Sequence, residues 1–336
     1  MGTGRQLNPG GGSDRTVEFP GYRIIRVLGS GSMGQVFLAQ TLDTGRLVAV
    51  KSIAPERENQ QASIKRMQRE ALTLASLSHR NIVECVEHFE LDGRMILVMA
   101  YVPGCLSVGD LLMREGRLPE RHVIRIALHV ARGLAYADTL HAVHRDIKPD
   151  NLLIGHEFGE ACPDVYTLFA APATTVQIAD FGLTKGADSI AHLTRVTADG
   201  VAVGSPAYMS PEQAHGLEAD CRSDMYGLGC TMYHLVTGAL PFPGTLPAEI
   251  LIAKVSCETF PDPRDCGANV SDAFRTVLQT LTALRPAERY QSYEALLPVL
   301  ERLDRTVNGD TDGAAEATKR GLFGWVEQWL KRTRAD

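Results

Sequence analysis

The sequence predicts an α+β protein of two lobes, a small antiparallel β-sheet with one helix followed by a larger, mainly helical lobe. Three observations support this fold class. Short runs of alternating polar and apolar residues, typical of β-strands, are concentrated before Pro103. Most of the longer patterns after Gly104 repeat apolar residues every three or four positions, which is typical of amphipathic helices. The length of 336 residues, 44% of them hydrophobic, suits two lobes with a sizeable core.

The smaller lobe is predicted over residues 19–102. Between its third and fourth strands, residues 63–78 carry apolar side chains three and four positions apart, so we expect a helix that places Glu70 beside the sheet. β-Branched and apolar residues dominate the strands, and Gly and Pro separate several of them. The predicted strands are Arg23–Leu28, Gln35–Gln40, Leu47–Ile53, Ile82–Phe89 and Met95–Val102.

The larger lobe is predicted over residues 103–303, with the boundary at the Pro103-Gly104 break. Between Asn151 and Asp180, residues 155–175 lengthen a hairpin well beyond what its turn requires. We interpret this insert as a surface loop, with a docking or regulatory role as the alternative. The predicted helices are Glu120–Thr139, Ser223–Thr237, Ser271–Leu284 and Tyr293–Leu303.

The two ends of the chain differ from the lobes in composition. Residues 1–18 are rich in Gly, Asn, Ser and Asp and predict a flexible tail, while residues 304–320 predict a linker. Residues 321–336 predict an amphipathic helix that contains both tryptophans, with basic residues nearby. This helix either folds back onto the larger lobe or binds a membrane surface or a partner. Its apolar face consists of Leu322, Phe323, Trp325, Val326, Trp329 and Leu330.

The overall composition excludes some classes of function. Basic residues number 34 and acidic residues 40, a net charge of -6, which argues against a nucleic-acid partner. Seven cysteines, without a Cys-x-x-Cys pair, predict reduced thiols in a cytosol. Because the sequence has neither an apolar run of about 20 residues nor the apolar core of a signal peptide, we expect a cytoplasmic protein.

A glycine-rich run in the smaller lobe suits a phosphate-binding site, with an ordinary hairpin turn as the alternative. Residues 29–34 follow the pattern Gly-x-Gly-x-x-Gly, and missing Cβ atoms let backbone N–H groups approach phosphates. A dinucleotide-binding fold is disfavoured because its glycines open a helix, whereas these lie between two predicted strands. Lys51 ends a run of small apolar residues, so its ammonium group would emerge from a strand, with a solvent-reaching edge lysine as the alternative.

Two short runs in the larger lobe are rich in charged and polar side chains. Residues 143–151 read Val-His-Arg-Asp-Ile-Lys-Pro-Asp-Asn, and Asp180-Phe181-Gly182 follows them. A carboxylate such as Asp146 can act as a general base, and oxygen ligands such as those of Asn151 and Asp180 suit a hard cation. In this order, the fragments from about Tyr22 to Leu303 resemble the bacterial branch of the eukaryotic-type (Hanks-type) serine/threonine protein kinases.

The resemblance implies that ATP binds between the lobes together with Mg²⁺, or Mn²⁺ as an alternative. It implies that Lys51 contacts the α- and β-phosphates and pairs with Glu70, and that Asn151 and Asp180 hold the cation. Val48 is expected in the floor of the adenine pocket, and Ala100 stands where relatives usually carry glutamate. The nucleotide-binding residues implied are Leu28, Gly29, Gly31, Gly34, Val36, Ala49, Lys51, Met99, Tyr101 and Val102.

The same resemblance assigns catalytic roles in the larger lobe. Asp146 accepts or orients the proton of the attacking hydroxyl, and Lys148 steadies the γ-phosphate and indicates serine or threonine acceptors. Residues 204–212 resemble the segment that receives the substrate, with Ser205 where threonine is usual. Asp224 is expected to anchor the catalytic loop, residues 143–151.

Two further expectations concern structure and regulation. Glu212 is expected to pair with Arg289 in a role that holds the fold. Arg145 precedes the catalytic aspartate, and such kinases use this guanidinium to hold a phosphorylated segment. Thr194 and Thr197 are the candidate acceptors for autophosphorylation, with Ser189 as a third choice.

The resemblance implies a kinase that phosphorylates protein substrates on serine or threonine. One rival is a pseudokinase that binds nucleotide or partners, which the presence of Lys51, Asp146, Asn151 and Asp180 disfavours. A second rival is a small-molecule phosphotransferase of the same fold, which usually lacks the Ser-Pro-Glu segment found at residues 210–212. The physiological substrate, the activating signal and dimerisation stay open.

Overall fold

The computed structural model describes residues 19–31, 34–53, 68, 71–104, 106–158, 163–181, 206–244, 246–257 and 259–309. These residues form a small β-sheet lobe followed by a larger helical lobe, as the sequence predicts. Several predictions fall outside this part of the chain. They concern Glu70, Thr194, Thr197, Ser205 and the segments 1–18 and 321–336.

The smaller lobe contains one antiparallel sheet of five strands in the order β1-β2-β3-β5-β4. All five predicted strands are confirmed, and the third has the predicted bounds. The last strand ends two residues before its predicted end, so Tyr101 and Val102 lie in the connection between the lobes. The strands are β1 (Tyr22–Gly31), β2 (Gly34–Thr41), β3 (Leu47–Ile53), β4 (Cys85–Leu91) and β5 (Arg94–Ala100).

The two faces of this sheet differ because side chains alternate along each strand. Val48 and Val50 of β3 pack in an apolar cluster on one face, together with Phe37. Residues 71–76 are helical and Ala71 is fully buried beside Leu97, which confirms this part of the predicted helix. The helix ends two residues before its predicted end at residue 78. Most of the rest of that helix lies outside the described residues.

The larger lobe is built around one extensive apolar core. All four predicted helices are present, while several shorter elements were not predicted. A small sheet, β6-β7-β8, lies beside the helices and consists of Leu106–Ser107, Leu152–Gly155 and Thr175–Ile178. The helices are α1 (Val108–Glu115), α2 (Glu120–Asp138), α3 (Val165–Ala170), α4 (Pro211–Ala214), α5 (Cys221–Thr237), α6 (Pro247–Ser256), α7 (Asp272–Leu281) and α8 (Tyr293–Gly309).

Helix α8 is longer than predicted. It continues to Gly309, so the prediction of a linker from residue 304 is wrong for its first six residues. Leu300 and Leu303 are buried, and Val307 packs against the same core one turn later. The four-residue step from Leu303 to Val307 keeps the apolar stripe of the helix facing the core, which explains the extension.

The insert at residues 155–175 is more than the predicted surface loop. Asp164 caps a short helix, α3, by accepting hydrogen bonds from the backbone N–H groups of Tyr166 and Thr167. Leu168 and Phe169 are buried in the core of the larger lobe. The loop interpretation is therefore wrong for residues 165–170. The sequence did not reveal this helix because six residues are too few for a periodic pattern to be recognised.

Backbone hydrogen bonds join the region before β4 to strand β8. The N–H of Ile178 donates to the carbonyl of Asn81, and the N–H of Val83 donates to the carbonyl of Ile178, both at 2.9 Å. The side-chain amide of Asn81 also donates to the carbonyl of Val176 at 2.8 Å. These bonds fix the strand that leads to Asp180. Within the described ranges, no helix is both long and apolar enough to cross a membrane.

Candidate active site

Lys51 and Asp180 form an ion pair between the lobes. The Nζ of Lys51 lies 2.7 Å from Oδ1 of Asp180, and the two side chains are 7% and 38% exposed. The backbone φ of Asp180 is +59°, a conformation that non-glycine residues rarely adopt and that is common at functional sites. Glu70, the predicted partner of Lys51, lies outside the described residues. The structure therefore gives Lys51 a partner that the sequence analysis did not pair with it.

Asp146, Lys148 and Asn151 come together in the loop between α2 and β7. The Nζ of Lys148 lies 3.2 Å from Oδ2 of Asp146. The amide nitrogen of Asn151 donates to the backbone carbonyl of Asp146 at 2.8 Å and to its carboxylate at 3.2 Å. Because this amide uses its nitrogen within the loop, its oxygen remains available as an acceptor. The loop thus brings together the carboxylate, the ammonium group and the amide that the sequence predicts as site residues.

Asp224 of helix α5 anchors this loop, as predicted. Its carboxylate accepts hydrogen bonds from the backbone N–H groups of His144 and Arg145, each at 2.7 Å. Burial raises the pKa of Asp224 to about 7, although these N–H donors and the charge of Arg145 act in the opposite direction. A Cβ at Gly227, one turn further along α5, would lie 3.3 Å from Ile147. Glycine therefore lets the helix approach the loop closely.

His144 connects the catalytic loop to the segment that carries Asp180. Its Nδ1 accepts from the backbone N–H of Asp146 at 3.2 Å, which leaves the proton on Nε2 to bond the carbonyl of Ala179 at 2.9 Å. The Phe181 ring packs edge-on against the imidazole, with ring centroids 4.7 Å apart. The sequence analysis assigned no role to this fully buried histidine. Its place in the His-Arg-Asp triplet was the available signal.

Not all the residues predicted to line the adenine pocket lie on the same face of the sheet. Ala49 pairs with Met99 across the sheet, and Val36 pairs with Lys51, so these four residues share one face. Val48 is fully buried in the apolar cluster on the opposite face, so its prediction as part of the pocket floor is wrong. A strand pattern gives two alternating faces but does not say which one meets the ligand.

The glycine-rich run begins at the end of β1 and ends at the start of β2, so it lies where two paired strands meet, as predicted. Gly29 pairs with Val36 and Gly31 with Gly34, and Leu28 precedes them in β1. Gly34 has a φ of +136°, and a Cβ there would lie 1.9 Å from a backbone oxygen of the neighbouring strand. A Cβ at Gly29 would meet no atom of the described residues within 4 Å. Packing does not require glycine at Gly29, so the open space fits a ligand that approaches the backbone.

The predicted pair of Glu212 and Arg289 is confirmed. Two bonds of 2.7 and 2.8 Å join the guanidinium to the carboxylate, and the hydroxyl of Ser223 donates to the same carboxylate at 2.6 Å. Burial alone would raise the pKa of Glu212, but the hydrogen bonds and charge of Arg289 outweigh it and lower the pKa. The amide of Gln213 donates to the carbonyl of Arg145 at 3.1 Å and so connects α4 to the catalytic loop.

The donors present fit a nucleotide with a hard divalent cation. Among the described residues, no group of three histidines, cysteines or acids is placed to hold a metal ion. The oxygens of Asn151 and Asp180 are the predicted ligands, and Mg²⁺ is typically held by one or two protein oxygens plus phosphates and water. Glycines at the ends of two paired strands, a buried lysine paired with an aspartate, and a carboxylate beside a second lysine are the kinds of group that nucleotide-dependent phosphotransferases use.

Comparison with known proteins identifies the family. Residues 22–298 match the protein kinase domain family, and the chain belongs to it. Among curated relatives, the serine/threonine-protein kinase PrkC of Bacillus subtilis is 32% identical over 273 residues, and the serine/threonine-protein kinase pkn3 of Myxococcus xanthus is 33% identical over 287. These matches cover 81% and 84% of the chain but only 39% and 50% of the relatives.

A solved structure shows the same fold. The crystal structure of the Mycobacterium tuberculosis PknI kinase domain superimposes with a TM-score of 0.62 at 26% sequence identity. The match covers 85% of this chain and 97% of that domain. The two-lobed fold is therefore that of a kinase domain.

Proposed function

We propose that this chain transfers the γ-phosphoryl group of ATP to serine and threonine hydroxyls of protein substrates. The observation that carries the proposal is the meeting of two groups at the junction of the lobes. Lys51 and Asp180 are 2.7 Å apart, and Asp146, Lys148 and Asn151 form a second hydrogen-bonded group in the adjacent loop. The serine/threonine kinase names of the relatives support the acceptor class.

The residues of the chain would act mainly by positioning and by neutralising charge. Asp146 accepts the proton of the substrate hydroxyl, and Lys148, 3.2 Å from it, offers a positive charge where the transferred group would pass. Lys51 offers a second cation, and Asn151 and Asp180 supply oxygens for Mg²⁺, with Mn²⁺ as an alternative. When bound, Mg·ATP supplies the phosphoryl group, and its metal ion supplies positive charge that offsets the negative charge of the phosphates.

Phosphate transfer to a generic protein substrate tests this proposal. Asp146→Asn should reduce labelled phosphate incorporation from Mg·ATP into myelin basic protein by about 10²- to 10⁴-fold, because the general base is lost. Asp150→Asn makes the same change at an exposed residue of the loop and is the matched control. Equal activity of Asp146→Asn and the parent would disprove the assignment.

The same experiment separates the two rival functions. ATP binding without incorporation by the parent would favour a pseudokinase. Incorporation into a small-molecule hydroxyl but not into protein would favour a small-molecule phosphotransferase. The buried pair of Glu212 and Arg289 supports a protein substrate, because the resemblance places it next to the substrate segment.

Autophosphorylation at Thr194 or Thr197 is the regulation that we propose, with Arg145 as the group that holds the phosphate. Support comes from the position of Arg145, whose backbone is fixed by Asp224 within the catalytic loop. The Thr194→Ala/Thr197→Ala double variant should phosphorylate myelin basic protein more slowly than the parent. Equal rates would end this proposal.

For residues 321–336 we propose peripheral membrane or partner docking of a cytoplasmic protein, on the basis of their aromatic and basic composition. Flotation with anionic liposomes should recover the full chain but not a chain that ends at Asp312. Equal flotation of both would exclude membrane binding through residues 321–336. Size-exclusion chromatography of the same two proteins would test dimerisation.

A further inference from the structure

Lys254 of helix α6 is fully buried, and its ammonium group makes contacts that the catalytic roles above do not use. It donates hydrogen bonds to three backbone carbonyls of one short segment, at 2.8 Å to Pro206, 2.9 Å to Ala207, and also to Met209. An ammonium group has three donors. These three bonds therefore saturate it.

The described surroundings of this ammonium are mainly neutral. The rings of Tyr226 and Phe242 lie 5.3 and 5.7 Å from Nζ, a distance at which aromatic faces attract a cation. Burial lowers the pKa of Lys254 to about 8, although charges on Cys230 and Glu212 would act in the opposite direction. The side chain therefore still carries its charge at neutral pH. A buried cation is costly unless its surroundings compensate it, and here the carbonyls do so.

Lys254 also accounts for much of the attachment of helix α6. Only Ile250 and Lys254 are buried in this helix, one turn apart, whereas Ile252 is 63% exposed. An apolar side chain of similar length would fill the same space without the cost of burying a charge. What the lysine adds is a fixed path for the backbone that it contacts.

We propose that Lys254 is a positioning residue for the protein substrate, acting through the backbone of Pro206–Met209. Three carbonyls within four residues converge on one atom, which restricts the path of this segment. The proposal rests on the proposed function, because the resemblance assigns substrate contact to residues 204–212.

Two neighbouring contacts limit how far the loss of Lys254 would disturb the chain. The hydroxyl of Tyr208 is 2.6 Å from Nδ1 of His234, which attaches the middle of the segment to α5. After Ser210, the pair of Glu212 and Arg289 holds the chain. Removal of Lys254 should therefore loosen the residues before Ser210 and leave the rest of the lobe in place.

Lys254→Met tests the proposal because methionine keeps the length of the side chain but has no donor. We expect KM for myelin basic protein to rise about tenfold, with kcat and KM for ATP changed by less than about twofold, since the loss affects only substrate placement. Ile252→Met, on the exposed side of the same helix, is the matched control and should leave all three values unchanged.

Amide hydrogen exchange provides a second measurement that does not depend on activity. Exchange at Ala207, Tyr208 and Met209 should become about tenfold faster in Lys254→Met than in the parent, because the segment loses its restraint. An inactive parent would refute the proposed function, and this exchange experiment would still decide whether Lys254 holds the segment. Unchanged exchange together with unchanged KM for protein would overturn the inference.

Two milder variants cover the case in which Lys254→Met fails to fold. Lys254→Gln retains two neutral N–H donors and should show a smaller rise in KM than the methionine variant. Phe242→Leu keeps the lysine and its hydrogen bonds but removes one aromatic face, so KM for myelin basic protein should rise about twofold. Equal rises in both KM values and a fall in kcat would indicate a general loss of structure and would also overturn the inference.

Discussion

Two segments of the larger lobe are each held by one buried charge from a helix, and the two charges have opposite signs. Asp224 of α5 accepts the backbone N–H groups of His144 and Arg145. Lys254 of α6 donates to carbonyls within Pro206–Met209. One segment presents donors and the other presents acceptors, so an anion suits the first and a cation the second.

The comparison shows how the protein holds irregular backbone near a site. Burial shifts both pKa values towards neutrality, to about 7 for Asp224 and about 8 for Lys254. Backbone groups compensate each charge, whereas Glu212 and Arg289 compensate each other directly. Asp224 contacts the catalytic loop, and Lys254 contacts the proposed substrate segment. Their removal should therefore affect different kinetic constants.

Among the anchoring contacts, the largest loss of activity is expected for Asp224→Ala. It removes the acceptor for the N–H groups of His144 and Arg145 and frees the loop that carries Asp146, so kcat should fall by about 10²-fold or more. Steady-state phosphorylation of myelin basic protein measures this. Asp224→Asn keeps one acceptor oxygen and should be affected less. If Asp224→Ala raised KM for protein without lowering kcat, Asp224 and Lys254 would not act on different kinetic constants as proposed.

Glu212→Gln should have the next largest effect, on stability. It leaves the Arg289 guanidinium buried without its countercharge, which costs about 3 to 5 kcal/mol when a buried pair is broken. Denaturant unfolding measures this loss. The matched control is Glu218→Gln, the same change at an exposed residue, and it should have little effect. A loss under about 1 kcal/mol for Glu212→Gln would contradict a structural role for the pair.

The pH dependence of stability should distinguish the two anchors. Because the pKa of Asp224 is raised from 3.8 to about 7, the folded state binds more protons between about pH 4 and 7, and this group's contribution to stability falls as pH rises through that window. Because the pKa of Lys254 is lowered from 10.5 to about 8, the unfolded state binds more protons between about pH 8 and 10.5, and its contribution rises with pH there. Each slope is at most about 1.4 kcal/mol per pH unit.

Denaturant unfolding of the parent, Asp224→Asn and Lys254→Met across this range measures both contributions as differences from the parent. The thiol of Cys230, near Lys254, has a pKa raised to about 11 by burial, so it stays mostly protonated through the upper window. Parallel curves for parent and variant would contradict the corresponding shift.

The smallest effect is expected at the exposed pair of Arg132 and Glu301. Their atoms are 2.9 Å apart, but the side chains are 44% and 40% exposed, so water screens the attraction. Arg132→Ala should change the free energy of unfolding by no more than about 1 kcal/mol. A larger loss would mean that the arginine stem, and not its charge, contributes to packing, and Arg132→Met would test that.

The sequence by itself determined the strands of the small lobe, the four long helices and the motif residues of the site. Strand β3 has its predicted bounds because alternation and β-branched residues coincide there, and α2 is long enough for its apolar stripe to be recognised. Asp146, Lys148 and Asn151 lie within six residues of one another. The resemblance of this one short run to the kinase motif was therefore enough to select them.

Only the tertiary structure decided which groups meet across long stretches of chain. The pairing of Lys51 with Asp180, the face of the sheet on which Val48 is buried, and the bonds from Lys254 to Pro206–Met209 have no local pattern. Helix α6 was missed because it exposes apolar residues and buries a lysine. Periodicity reports which residues of one segment share a face, whereas the partner of that face depends on packing between distant segments.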